Sequence, residues 1–198
     1  MSYGNPVNLT RSGTLKYASK LATMAQFGAL KTKYSHNPAI QQLTKDLFIG
    51  DCSAFIEKVL TETHPAALEE IRAFTKATIN ETPQRLFVRD FRNFLSPLGR
   101  DKTSTNWENV NLPYINSGDM VFYKKYTSNH SLIIEEKIGR NKFRVIHSSS
   151  FGKDSRPSIK RDVFFFDDNF DSVFREDIRR TEPISLINAG RLKLAPSL

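Results

Sequence analysis

Near residue 107 the hydrophobic pattern of the chain changes period, and this constrains the fold more than any other feature of its 198 residues. Upstream, apolar residues recur every three or four positions, which gathers them on one face of a helix. Leu15, Ala18, Leu21, Ala22, Ala25 and Leu30 mark one helix from about Thr14 to Leu30, with Gly28 near its end. Leu68, Ile71, Phe74 and Ala77 mark another between Pro65 and Ile79. Thr82 and Pro83 open a third, with Leu86, Phe87, Phe91, Phe94 and Leu95 on its inner side and Pro97 and Gly99 as its stop. Downstream the apolar runs are short and β-branched or aromatic: Met120 to Tyr123, Ser131 to Glu135, Lys142 to His147 and Asp162 to Phe166. Gly139, Arg140 and Asn141 read as a hairpin turn. Helices followed by consecutive strands predict an α+β chain with an antiparallel sheet.

The length suits one sizeable core. Fifteen phenylalanines against one tryptophan predict a Phe-rich interior. No stretch approaches the roughly 18 apolar residues of a membrane span. Met1 to Pro6 lacks the basic start and apolar run of a secretory signal, which leaves the compartment open between retention, export by a dedicated machine and trimming. The single cysteine excludes an intramolecular disulfide and a multi-cysteine zinc site, and neither a metal nor a cofactor is expected.

The net charge is +8, and within residues 1–50 Arg11, Lys16, Lys20, Lys31, Lys33 and Lys45 face Asp46 alone. This excess suits an anionic polymer, an anionic surface or simply solvent. No recognition helix or aromatic ribonucleoprotein motif accompanies it, so no nucleic-acid partner is expected. After Phe170, Asp171, Glu176 and Asp177 alternate with Arg175, Arg179 and Arg180, which reads as a solvated helix or an extended arm ending irregularly near Pro196.

The lone thiol, Cys52, follows Asp51 at the start of a helical pattern carrying Phe55, Ile56, Val59 and Leu60. A helix N-terminus stabilises the reactive thiolate, whereas burial in an apolar core opposes it; at this stage a nucleophile and a small buried hydrophobe both fit. Nucleophilic cysteine chemistry needs a base and a group that orients it. Of the four histidines, His130 opens one strand and His147 closes the next, so antiparallel pairing would let His147 orient His130.

These residues resemble a known family. Asp51-Cys52-Ser53-Ala54-Phe55-Ile56 is similar to the Asp-Cys-Ser-Gly-Phe-Val signature of the NlpC-type cell-wall cysteine peptidases. In the family's order follow Ser117-Gly118-Asp119-Met120-Val121-Phe122, His130-Ser131-Leu132-Ile133-Ile134 and Val145-Ile146-His147-Ser148-Ser149. The likeness covers about residues 14–165. It implies a papain-like fold, with N-terminal helices packed on an antiparallel β-sheet of about five strands. The expected organisation is an irregular lead-in at 1–13, a hydrolase domain at 14–170 with a helical insertion at about 61–106, and a tail at 171–198 packed on or extending that domain.

By the same resemblance Cys52 is the nucleophile, His130 the general base and acid, and His147 its orienting group. Tyr34 helps an oxyanion hole, with His36 as a rival for that space. The implied reaction cleaves an amide bond of peptidoglycan stem peptides through a thioester. The implied partners are peptidoglycan or a muropeptide and an immunity or inhibitor protein, with the chain acting as a monomer. The alternatives are a cysteine acyltransferase, deamidase or protease acting on another substrate as an effector, or a catalytically idle module that binds an anionic polymer. Two departures stand out: Ala54 and Leu132 occupy positions where the family has glycine. Leu132 puts pocket shape in question, and the insertion suggests a lid or a remodelled groove.

Overall fold

The strands after residue 107 close on themselves, which overturns the expectation of helices on a papain-like sheet of about five strands. The computed structural model describes residues 7–37, 40–81, 83–96, 104–126, 128–150, 157–176 and 178–193. Strands β5 (Met120–Lys125), β6 (Asn129–Gly139), β7 (Lys142–Ser148), β8 (Ile159–Phe166), β9 (Ser172–Arg175) and β10 (Arg180–Leu192) pair antiparallel in sequence order. β10 returns to β5, so the six form a closed barrel, and β4 (Trp107–Val110) adds to the outer side of β10.

The segment read as a solvated tail makes this closure. The first part of β10 pairs with β9 and the remainder with β5. Its charges disguised it. Glu182 turns back to pair with Lys125 at 2.9 Å and with Arg175 at 3.7 Å, so residues that look like solvated polar positions satisfy one another at one end of the barrel. Asp177 and Pro196 lie outside the described residues, as do Thr82, Pro97 and Gly99.

Four helices precede the barrel: α1 (Val7–Gln26), α2 (Cys52–Thr63), α3 (Pro65–Ile79) and α4 (Val88–Leu95). α1 starts at Val7, inside the stretch expected to be irregular, and residues 1–6 are outside the described set. α4 starts later than Pro83, with the Phe87 amide donating to the Asp90 carboxylate at 2.8 Å. Between α1 and α2 lies a small sheet that the sequence pattern did not announce, with β1 (Lys31–Tyr34) parallel and β2 (Gln42–Leu43) antiparallel to β3 (Leu47–Gly50).

Because side chains alternate across a strand, the barrel wall serves two cores. Met120, Phe122, Ile133, Ile146 and Ile159 face the helices and join Phe55, Ile56, Leu68, Ile71, Phe91 and Phe94. Val121, Tyr123, Leu132, Ile134, Val145, Phe143, Phe164 and Phe166 fill the barrel. Leu132 is therefore packing inside the barrel. α3 and α4 are one wall of the helix-side core and not a lid: the Trp107 indole donates to the Ala67 carbonyl at 2.9 Å and Phe91 stacks on Phe122 at 4.8 Å. Among the described residues no helix is long and apolar enough to cross a membrane.

Candidate functional site

β3 ends at Gly50 and α2 begins at Cys52, so the chain turns over one residue. Asp51 is extended and acts as the N-cap, its carboxylate accepting from the Ala54 amide at 3.0 Å and the Ser53 hydroxyl at 2.8 Å. The Ala54 departure is matched by its neighbour. A Cβ at Gly50 would stand 2.7 Å from the Ala54 Cβ and 3.1 Å from the Phe48 ring, so Gly50 supplies the room that a glycine at 54 would give. Gly50→Ala is expected to destabilise by about 1–3 kcal/mol through overpacking, read as a lower urea midpoint. An unchanged midpoint would show that strand and helix part freely.

Arg85 completes the turn. Its Nη2 donates to Asp51 at 2.5 Å and to the Ser53 hydroxyl at 2.9 Å, and its guanidinium lies 4.3 Å over the Phe87 ring. Burial alone would raise the Asp51 carboxyl. The bonds from Arg85, Ala54 and Ser53 outweigh burial and hold it below its ordinary range. His36 Nδ1 approaches the same carboxylate at 3.3 Å and its ring meets Tyr34 edge-on at 4.9 Å.

Cys52 is 3% exposed, and its sulfur is the atom that faces β6. It lies 4.0 Å from the Asn129 carbonyl, and the hydroxyls of Tyr34 and Ser131 and the Ser131 amide are directed at it. Burial, and then the Asp51 charge, push the thiol above its ordinary pKa, and those donors oppose the shift without reversing it. At this helix start desolvation outweighs the favourable end of the helix, and the thiol is protonated at neutral pH. Burial, followed by the nearby thiol and Asp51 charges, also raises the Tyr34 phenol.

The other half of the site lies inside the barrel. His130 pairs in register with Tyr123, and its ring contacts Tyr123, Phe164 and His147. His130 Nε2 is 2.7 Å from His147 Nδ1, and His147 Nε2 is 2.6 Å from Asp162 Oδ2. Burial lowers both imidazoles. For His130 the positive groups of His147, Arg175, Lys125 and Lys160 add to this, while Asp162 partly restores His147. Two neutral rings and one carboxylate assign the protons. Asp162 accepts only, so His147 carries its proton on Nε2; His147 Nδ1 then accepts from His130 Nε2–H, and His130 Nδ1 is left as a lone-pair base.

Of the residues singled out from the sequence, the fold groups Cys52 with Tyr34 and His130 with His147. Both groups lie at the start of β6, on opposite faces of it. Asn129 and Ser131 meet the sulfur, while His130 between them points into the barrel, and among the described residues no hydrogen bond joins His130 to Cys52. Sequence reading missed Asp162, which shares its strand face with Phe164 and Phe166 at the spacing of two that could have flagged it. It also missed Ser131 and Arg85; Arg85 carries no periodic signal at all. A cleft of about 710 Å³ lined by Leu15, Lys16, Ser19 and Glu135 contains none of these residues. Among the described residues no group of three or more His, Cys, Asp or Glu is arranged to hold a metal ion. No family model, curated protein or solved structure matches this chain.

Proposed function

We propose that the chain is a cysteine amidase or endopeptidase that cleaves an amide bond in a peptidoglycan stem peptide. The observation that carries this reading is the buried His130–His147–Asp162 relay, whose end nitrogen, His130 Nδ1, belongs to the residue flanked by the two that the sulfur touches. A barrel core built mainly of aromatic and aliphatic side chains keeps such a polar chain at a cost in desolvation, and acid–base chemistry is a reason to keep it. The substrate class rests on the resemblance in the four ordered motifs and on the basic excess, which suits a carboxylate-rich polymer.

His130 Nδ1 takes the thiol proton, and Sγ attacks the substrate carbonyl. His130 then gives that proton to the leaving amine as the C–N bond breaks, producing a thioester. Water, deprotonated by His130, adds to the thioester, and its collapse releases the acid and returns the proton to sulfur. The thiol and the relay are parted by the β6 backbone, so the proposed first step requires the start of β6 to turn His130 toward the sulfur. Catalytic hydrogen bonds commonly tighten only in the substrate complex.

A second reading, an idle module that binds an anionic polymer, is favoured by the burial and raised pKa of the thiol. Incubation of wild type and Cys52→Ala with defined muropeptides, followed by mass analysis, separates the two. The hydrolase predicts cleaved stems with wild type only. Cleavage that survives in Cys52→Ala, or wall binding by both proteins with cleavage by neither, overturns it.

A further inference from the structure

Resting on the reading of Cys52 as nucleophile, we propose that Ser131 is a further catalytic residue: with Tyr34, its hydroxyl is a preset donor for the thiolate that forms when the proton leaves sulfur. Ser131 is fully buried on the helix-facing side of β6, opposite Phe122, and its hydroxyl is directed at the sulfur. Yet Ser131 Oγ has no hydrogen-bond partner among the described residues. Ser148 stands beside it, one step beyond the Leu132–His147 pair, also fully buried and with its hydroxyl unpartnered.

Buried hydroxyls in folded chains are overwhelmingly partnered, so an orphan against a sulfur calls for an explanation. A neutral thiol is a weak acceptor and does not satisfy a hydroxyl; a thiolate accepts strongly, because one partner is ionised. The arrangement is thus under-satisfied at rest and becomes satisfied once Sγ is anionic, which is the order of events a preorganised site requires. The titratable groups facing the sulfur are Asp51 from the N-cap and Tyr34 from β1, with Arg85 and His36 acting through Asp51. Asp51 opposes the thiolate, so the two hydroxyl donors, together with the Ser131 amide, are the local groups that favour it.

The chain has one cysteine, so its thiolate absorbance in the ultraviolet, with Cys52→Ala as the blank, titrates this site alone. Ser131→Ala is expected to move the titration to higher pH and to lower the thiolate fraction at a fixed pH roughly tenfold, with Ser131→Thr restoring it. Coincident curves for folded wild type and Ser131→Ala overturn the proposal; should the alanine variant fail to fold, Ser131→Gly takes its place. A shift in Ser131→Ala without muropeptide cleavage by wild type supports the donor role while sinking the hydrolase. Cleavage by wild type with coincident titrations sinks the donor role alone.

Discussion

Arg85→Ala is expected to lower the stability of the chain by about 3–5 kcal/mol, the usual consequence of leaving one member of a buried ion pair behind. Arg85 and Asp51 are 7% and 4% exposed, so neither charge has water to fall back on. Without the guanidinium, burial pushes the Asp51 carboxyl up, while the Ala54 amide and Ser53 hydroxyl still hold its charged form. The carboxylate also caps α2, so the loss spreads from one ion pair to the first turn of the helix that carries the sulfur. Urea unfolding at neutral pH measures it. A double variant, Asp51→Asn with Arg85→Met, is expected to recover part of the loss, since asparagine caps a helix well and no charge remains buried. A midpoint for Arg85→Ala equivalent to less than about 1 kcal/mol would show that solvent reaches Asp51.

How much of this was legible beforehand depends on whether a residue's neighbours in sequence are its neighbours in space. The helical stripe of α3 and the two-residue alternation of β5 to β8 are local, and composition exposes them. The pairing of Asp51 with Arg85, 34 positions apart, leaves no periodic trace. Barrel closure failed to register for a related reason. Along β10 the inward position Glu182 is ionic and the next residue is Pro183, so the strand pattern breaks where the strand meets β9. β1 and β3 are four residues each, too short for any period to declare itself. At the site, reading His130 and His147 from strand ends located the imidazole pair but could not say which face of β6 each side chain takes. A single residue of register decides that, and it places Ser131, not His130, against the thiol.

Acidification below about pH 6.5 is expected to destabilise the fold before the carboxylates are protonated, and the relay is the cause. Both imidazoles are buried with pKa values lowered from the ordinary histidine value, so between that value and the folded-state values the unfolded chain binds more protons than the folded one. Stability then rises with pH in this window. The contribution is complete above the ordinary pKa and is lost as pH falls toward the folded-state pKa, by up to about 1.4 kcal/mol per pH unit for each histidine. Each histidine contributes only across its own window, between the ordinary value and its lowered folded-state value, and where the two windows overlap the slopes add. Urea midpoints measured stepwise from neutral pH downward give the slope, and His130→Gln with His147→Gln is expected to flatten it. A wild-type curve flat across that window would mean that the rings are already charged in the fold, which would also void the proton assignment that leaves His130 Nδ1 as a base. If the assignment holds, the acid limb of muropeptide cleavage falls together with the unfolding curve, because the same two rings that must be neutral to take the thiol proton are the ones whose protonation from solvent burial disfavours and unfolding permits.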